Sequence, residues 1–259
     1  MSGVNSEHKA SPGRTFDNIL TLASNSFAQN TVLINESPQR LNKTIMANIV
    51  ENLEERVFLE LAPTLEAAGF REFRAMKQFR RPTQTGFQNI LLSISGQGPY
   101  VLEVHLGIRS HMVEELLQQF VSIPLHFAPH ATTLHAPLYQ IDHAIPRRFR
   151  FDSEKEVAAM CEFVLEVMQD TGFDYFEEHS AIDAIDRVLN EAPDRDSPFL
   201  YNQLHRCFRG LIVAKMAQNL ELPQLIDTYH KHLERKAAPQ SLINRYERLA
   251  VLLHNFSLN

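Results

Sequence analysis

Membrane-length apolar runs, tryptophan and any excess of basic charge are missing from this chain of 259 residues, and cysteine occurs only twice. The first absence argues against a helical membrane span, which needs about 20 consecutive, predominantly apolar residues. Met1–Arg14 has no apolar centre, so it reads as a disordered polar tail and not as a secretory signal. Cys161 and Cys207 sit among apolar neighbours in helix-like stretches. Two such thiols in a chain without a signal peptide predict free, buried cysteines and a reducing, cytoplasmic setting. The net charge of −6 argues against a general nucleic-acid binder. The absence of tryptophan excludes nothing.

Signatures of nucleophilic and phosphate chemistry are missing too. No Gly-x-Ser-x-Gly elbow occurs. The Gly96-Gln97-Gly98 turn is too short to cradle a phosphate and lacks a following Lys-Ser/Thr. His205 stands two residues from Cys207 in a helical stretch, a spacing at which the two side chains diverge.

What is present is an ordinary globular composition, 44% apolar and 22% charged, long enough for one large domain or two small ones. Charge is unevenly placed: residues 152–196 hold 14 acids against 3 bases, and residues 197–259 hold 4 acids against 8 bases. Five bases against one acid crowd Arg71–Arg81. Such stretches are solvated faces of a domain or a docking patch for a partner.

The clearest pattern lies in residues 70–109, which read as three consecutive strands. In Tyr100–Arg109 the residues Tyr100, Leu102, Val104, Leu106 and Ile108 point one way, while Val101, Glu103, His105 and Arg109 point the other. Before them, Ile45, Ile49, Leu53, Val57, Leu61 and Leu65 recur every fourth residue, one stripe of an amphipathic helix capped by Thr44 and ended by Gly69. A single strand is predicted over 70–81, then a second around Ile90–Ile94. Ser110 is expected to cap a short helix to Val121. Residues 122–145, with three prolines, read as loop, and Phe149–Phe151 as a fourth strand. A helix follows from Ser153 to Gly172, with Ser153 and Glu156 spaced as a capping box. Helices are expected through the remainder, with Ser180 as another cap. Residues 15–42 are ambiguous between a short helix and a loosely docked segment.

Residues 46–120 resemble an uncharacterised bacterial domain family of unknown function. The resemblance rests on Gly69-Phe70, Phe79-Arg80-Arg81, Ile90-Leu91-Leu92 and Gly107-Ile108-Arg109, loose patterns covering under a third of the chain. It implies a sheet packed on a helix, and it carries no residue roles.

Two clusters have donor chemistry. His126, His130, His135, Asp142 and His143 fall within eighteen residues, with His105 and His111 upstream, and carry the right atoms for zinc or another borderline metal. Their spacing fits no standard zinc pattern, and exposed loop histidines or neutral, hydrogen-bonded ones are the simpler reading. The second cluster is the polar sheet face: Arg74, Gln78, Arg80, Glu103, His105 and Arg109. Its arginines suit a carboxylate or phosphate, though a solvated or helix-covered face is the simpler reading. Phe79-Arg80-Arg81 and Arg147–Phe151 interleave aromatics with arginine, but alternation puts Phe149 and Phe151 in the core, not on a stacking platform.

The sequence therefore predicts an α+β fold: a four-stranded, mainly antiparallel sheet on a long helix. Its expected divisions are residues 1–43 poorly ordered, 44–151 the sheet domain and 152–259 a helical portion packed on it. The expected function is a cytoplasmic, non-catalytic module binding a protein or a small anionic ligand, with no organic cofactor, nucleic acid or membrane. Alternatives are a metal-dependent, hydrolase-like enzyme using the His126–His143 loop, and a scaffold that associates with itself through its acidic and basic faces.

Overall fold

The computed structural model describes residues 38–96 and 99–255, with side chains at Val50 and from Asn52 onward. Expectations for residues 1–37, including the polar tail, lie outside the described residues. Met46–Asn259 forms one compact unit.

The helical stripe becomes α1 (Pro38–Ala67), which begins ahead of Thr44, so Thr44 lies within the helix and does not cap it. Leu53, Val57, Leu61 and Leu65 are buried, with Phe58 beside them. The side chains of Ile45 and Ile49 fall outside the described residues. At its end Gly69 takes φ +88°, Phe70 N–H donates to Leu65 O at 2.9 Å and Gly69 N–H donates to Glu66 O at 3.0 Å. This is the paired closure a left-handed residue permits, and it satisfies carbonyls the helix leaves open.

The fold is α+β, and among the described residues its sheet has six strands where the sequence predicts four. One addition comes from residues 70–81, which are not a single strand. β1 (Arg71–Phe73) turns back through a 3-10 turn at Arg74–Met76 and a left-handed Lys77 into β2 (Gln78–Pro82). β3 (Gly86–Gly96) and β4 (Tyr100–Ser110) pair along their whole length. The other addition is β5 (Leu134–Pro137), inside the stretch expected to be loop. β6 (Phe149–Phe151) forms where expected. All pairings are antiparallel, and β5 and β6 share the free edge of β4, one at each end.

Register sorts the side chains by face, because paired residues point the same way. Phe79, Ile90, Leu106 and Ala136 form one row of the apolar face; Ile94, Leu102 and Phe149 form another. All are buried, and Phe58 of α1 stacks on Phe79 with ring centroids 4.9 Å apart. Phe149 and Phe151 are thus core residues, as their alternation implies.

α2 (His111–Leu117) follows β4, with no side-chain cap from Ser110. α3 (Leu138–Ile141) follows β5. The expected helix from Ser153 opens as a 3-10 turn before α4 (Val157–Val167). Glu156 accepts from Asp152 N–H at 3.1 Å and from the Ser153 hydroxyl at 3.0 Å, a variant of the expected box. Gly172 does not end the helix. A π-turn at Met168–Gly172 runs directly into α5 (Phe173–His179), and the Met168 side chain occupies the space a Cβ on Gly172 would need. Ser180 donates to Phe176 O at 2.6 Å and does not cap α6 (Ile182–Asn190).

α7 (Gln203–Met216), α8 (Leu222–Arg235) and α9 (Gln240–Asn255) complete the chain. α7 is the most enclosed helix, contacting α2, α6, α8 and α9. Its Arg206 donates to Leu189 O at 3.1 and 2.6 Å and to Ala192 O at 2.9 Å, taking up the open carbonyl end of α6. Its Arg209 makes a bidentate pair with Glu114 of α2 at 2.7 and 2.8 Å, both side chains buried. One continuous core runs from α1 through the sheet to α9.

Gln218 and Ala237 take φ of 54° and 50° at the ends of α7 and α8 and close them with the hydrogen-bond pair seen at Gly69. A Cβ makes that conformation cost about 1 kcal/mol. Ala237→Gly is therefore expected to stabilise the fold by about 1 kcal/mol, read as a higher urea midpoint at unchanged slope.

Candidate functional site

The polar face of the sheet is neither fully solvated nor covered by a helix. Along β4 its residues grade from half-buried Val101, Glu103 and His105 to buried Gly107 and Arg109. The segment 118–133 folds over the Arg109 end. Arg109 Nη1 donates to Ala128 O at 3.1 Å and Ala131 O at 2.6 Å, and Thr133 N–H donates to Ile108 O at 2.7 Å. Gly107 allows this approach: a Cβ there would stand 2.1 Å from Asn89 Oδ1 and 2.8 Å from Thr132 Cγ2. Beneath the segment, Asn89 Nδ2 donates to Gln78 Oε1, both residues buried.

At this end Arg80 and Arg109 converge on one ring. Their guanidinium carbons stand 3.9 and 5.9 Å from the centre of Phe87, and Arg80 also lies over Phe73 at 4.7 Å. Arg80 Nη2 donates to His130 Nδ1 at 3.2 Å, and Arg109 Nε donates to His111 Nδ1 at 3.1 Å. Neither arginine has a carboxylate partner among the described residues. Arg81, Arg148 and Arg209 each have one, and Arg74 has two. Arg80 Nε is buried with no hydrogen-bond partner. Burial, then the neighbouring Arg109 charge, lowers the Arg80 pKa. Burial lowers that of Arg109 as well, with Glu114 and Glu115 opposing. His130 is lowered by burial and by both arginines, so it favours the neutral acceptor form that Arg80 meets.

At the middle of the face, His105 of β4 and His135 of β5 stack with centroids 5.1 Å apart. Tyr201, from the connection before α7, places its hydroxyl 3.2 Å from His105 Nδ1 and its ring 4.9 Å from that of His135. Burial and the adjacent His105 hold His135 down to about 4. Burial also lowers His105, against the pull of Glu103. Glu103 accepts from Arg148 Nε at 2.8 Å and is therefore compensated.

The structure thus brings together Arg80 and Arg109, and separately His105 and His135. It removes Arg74 from the face: the 3-10 turn swings it off the sheet to pair with Glu72 at 2.5 Å and with Glu55 of α1. The histidines of the 126–143 stretch have four different surroundings. His126 packs on Phe127, His130 meets Arg80, His135 stacks on His105, and His143 donates to Tyr139 O at 2.9 Å. Among the described residues no three His, Cys, Asp or Glu side chains are placed to share a metal ion. Cys161 and Cys207 are free and buried, and burial pushes each thiol up to about 12. Phe87 and Tyr201 join the face without a sequence signal: Phe87 alternates like any strand residue, and Tyr201 arrives from 96 residues beyond His105.

No helix among the described residues is long and apolar enough to cross a membrane. Comparison with known protein families, with curated proteins and with solved structures gives no match to this chain.

His135 is neutral in both folded and unfolded chains above pH 6.5. Below it, the unfolded chain takes up a proton that the folded one refuses until about pH 4. The fold is therefore expected to lose stability between pH 6.5 and 4. Urea midpoints for the protein and for His135→Gln should show a shallower fall in the variant.

Proposed function

We propose that this chain is a non-catalytic binding module whose polar sheet face receives a small anionic ligand bearing a carboxylate or phosphate. The observation that carries the reading is the Arg80–Arg109 pair over Phe87, two guanidinium groups with no carboxylate within ion-pair distance among the described residues. A cation–π contact contributes roughly 0.5–2 kcal/mol. A hydrogen bond to a charged group contributes roughly 1.5–3 kcal/mol, and a bidentate anion makes two. The ring alone is thus a poor substitute for an anion. Arg80 Nε finds no acceptor inside the fold, and His111, exposed at the rim, is a further donor open to such a ligand.

The scattered surroundings of the four loop histidines give a metal-dependent reading no specific support. The resemblance of residues 46–120 to a bacterial domain family is compatible with a binding role and adds no residue to it.

Arg109 holds the 118–133 segment, so its replacement would mix binding with folding. Arg80 is the cleaner probe. Calorimetric titration with inorganic phosphate and with citrate, at constant ionic strength, is expected to show one saturable site, weakened about tenfold or more in Arg80→Gln. No saturable heat from either anion up to ~10 mM, or equal binding by the variant, would overturn the reading.

A further inference from the structure

The segment that closes over the Arg109 end of the sheet belongs to the longest run in the chain without Asp, Glu, Lys or Arg, residues 116–141. It reverses direction at Pro124. Phe127 N–H and Ala128 N–H both donate to Pro124 O, at 2.8 and 3.0 Å, and His130 N–H donates to Phe127 O at 2.8 Å. Several of the tip's backbone donors are thus satisfied internally, which leaves less backbone to desolvate when the tip is covered. Its side chains meet water instead: Leu125 is 90% exposed and Phe127 is 51% exposed. Met112, 63% exposed, sits at the same corner. The Arg109 guanidinium bonds both His111, the residue before Met112, and the carbonyl of Ala128, the residue after Phe127.

The charge around this tip comes mainly from arginine. Arg245 of α9 donates to Ser122 Oγ at 3.4 Å, and Arg248, one turn further along, is exposed as well. Neither has a carboxylate within ion-pair distance among the described residues, and Arg80 and Arg109 beneath the segment have none either. Of the two acids on α2, Glu114 is paired with Arg209 and Glu115 is exposed. Apolar side chains projecting from a chain reversal among unpaired cations match an anionic bilayer. The apolar groups enter the boundary of the acyl chains while the cations stay with the headgroup phosphates. A protein partner would need a matching hollow for each projecting side chain, whereas a fluid interface needs none. Leu220, 93% exposed, lacks this setting, since it stands beside exposed Glu221.

We infer that the 123–127 tip, with Met112 and Arg245, seats this chain on the surface of an anionic membrane, and that the anion received at Arg80 is a lipid headgroup phosphate. The inference rests on the anion reading of the polar face and names its ligand. It is attachment to a surface and not a span, and it departs from the membrane-free expectation of the sequence.

The test mixes the full chain with vesicles of phosphatidylcholine, alone or with about one-fifth phosphatidic acid, and reads bound protein by cosedimentation. The chain has no tryptophan, so Phe127→Trp supplies a single reporter at the tip. Binding to the anionic vesicles alone is expected, with the emission of Phe127→Trp moving to shorter wavelength and that of Leu220→Trp staying fixed. Leu125→Ser combined with Phe127→Ser should weaken vesicle binding about tenfold or more and leave calorimetric titration with inorganic phosphate unchanged. Arg80→Gln should weaken both, and Leu220→Ser neither. Absence of vesicle binding, equal binding to pure phosphatidylcholine, undiminished binding in the double variant or in Arg80→Gln, an unshifted emission, or an equal loss in Leu220→Ser would each overturn the inference. A dimer mass in light scattering that the double variant abolishes would assign the tip to a second copy of the chain and overturn it too. Phosphate binding without vesicle binding removes this inference alone; absence of phosphate binding removes the anion reading and this inference with it.

Discussion

β4 has two unlike faces, and both must be covered. Leu102, Val104, Leu106 and Ile108 are buried against the core shared with α1 and the C-terminal helices. Burial of side chains of this size is worth roughly 1.5–3 kcal/mol each, which fixes the strand's orientation, since a slip of one residue would invert every side chain. That orientation commits Glu103, His105, Gly107 and Arg109 to the other face. Glu103 meets Arg148, His105 meets His135 and Tyr201, and Arg109 is sealed by carbonyls of the 118–133 segment. Everything proposed for the polar face follows from a register chosen by the apolar one.

The helical half is bound to the sheet by the same economy of charge. Glu114, immediately beyond β4, is fully enclosed and finds Arg209 of α7 in a bidentate pair. A buried carboxylate stranded without its partner costs several kcal/mol, so the start of α2 and the centre of α7 are tied together. Arg206, one turn earlier on α7, is enclosed as well, but it spends its donors on the carbonyl end of α6. Against this background Arg80 stands out: it lies over Phe87 beside Arg109, meets only a histidine ring nitrogen, and keeps its Nε without an acceptor.

Much of this was legible in residue order. The i, i+4 stripe of α1 from Leu53 to Leu65, the Gly69 closure, the alternation of β4 and the core placement of Phe149 and Phe151 are all local consequences of periodicity, and they appear as expected. The split of residues 70–81 was not legible, because the turn at Arg74–Lys77 uses no glycine, proline or asparagine and puts a lysine at positive φ. β5 was hidden by its length and its Pro137, which the strand tolerates at its end. Gly172 misled because a glycine after a helical run usually ends it, whereas here it makes room for Met168. On the site, Arg80 and Arg109 follow from β-strand alternation across paired strands. Arg74 fails because the turn breaks that alternation. Phe87 and Tyr201 depend on strand pairing and long-range packing, which no local window contains.

The most direct test of the polar face looks at a buried donor left without an acceptor beside it. The Nε–Hε resonance of Arg80 can be followed by 15N–1H correlation spectroscopy as inorganic phosphate is added to the labelled protein. A saturable downfield movement of that proton, larger than for any arginine already paired with a carboxylate, is the predicted result. A resonance that stays fixed while phosphate rises to ~10 mM would contradict the account.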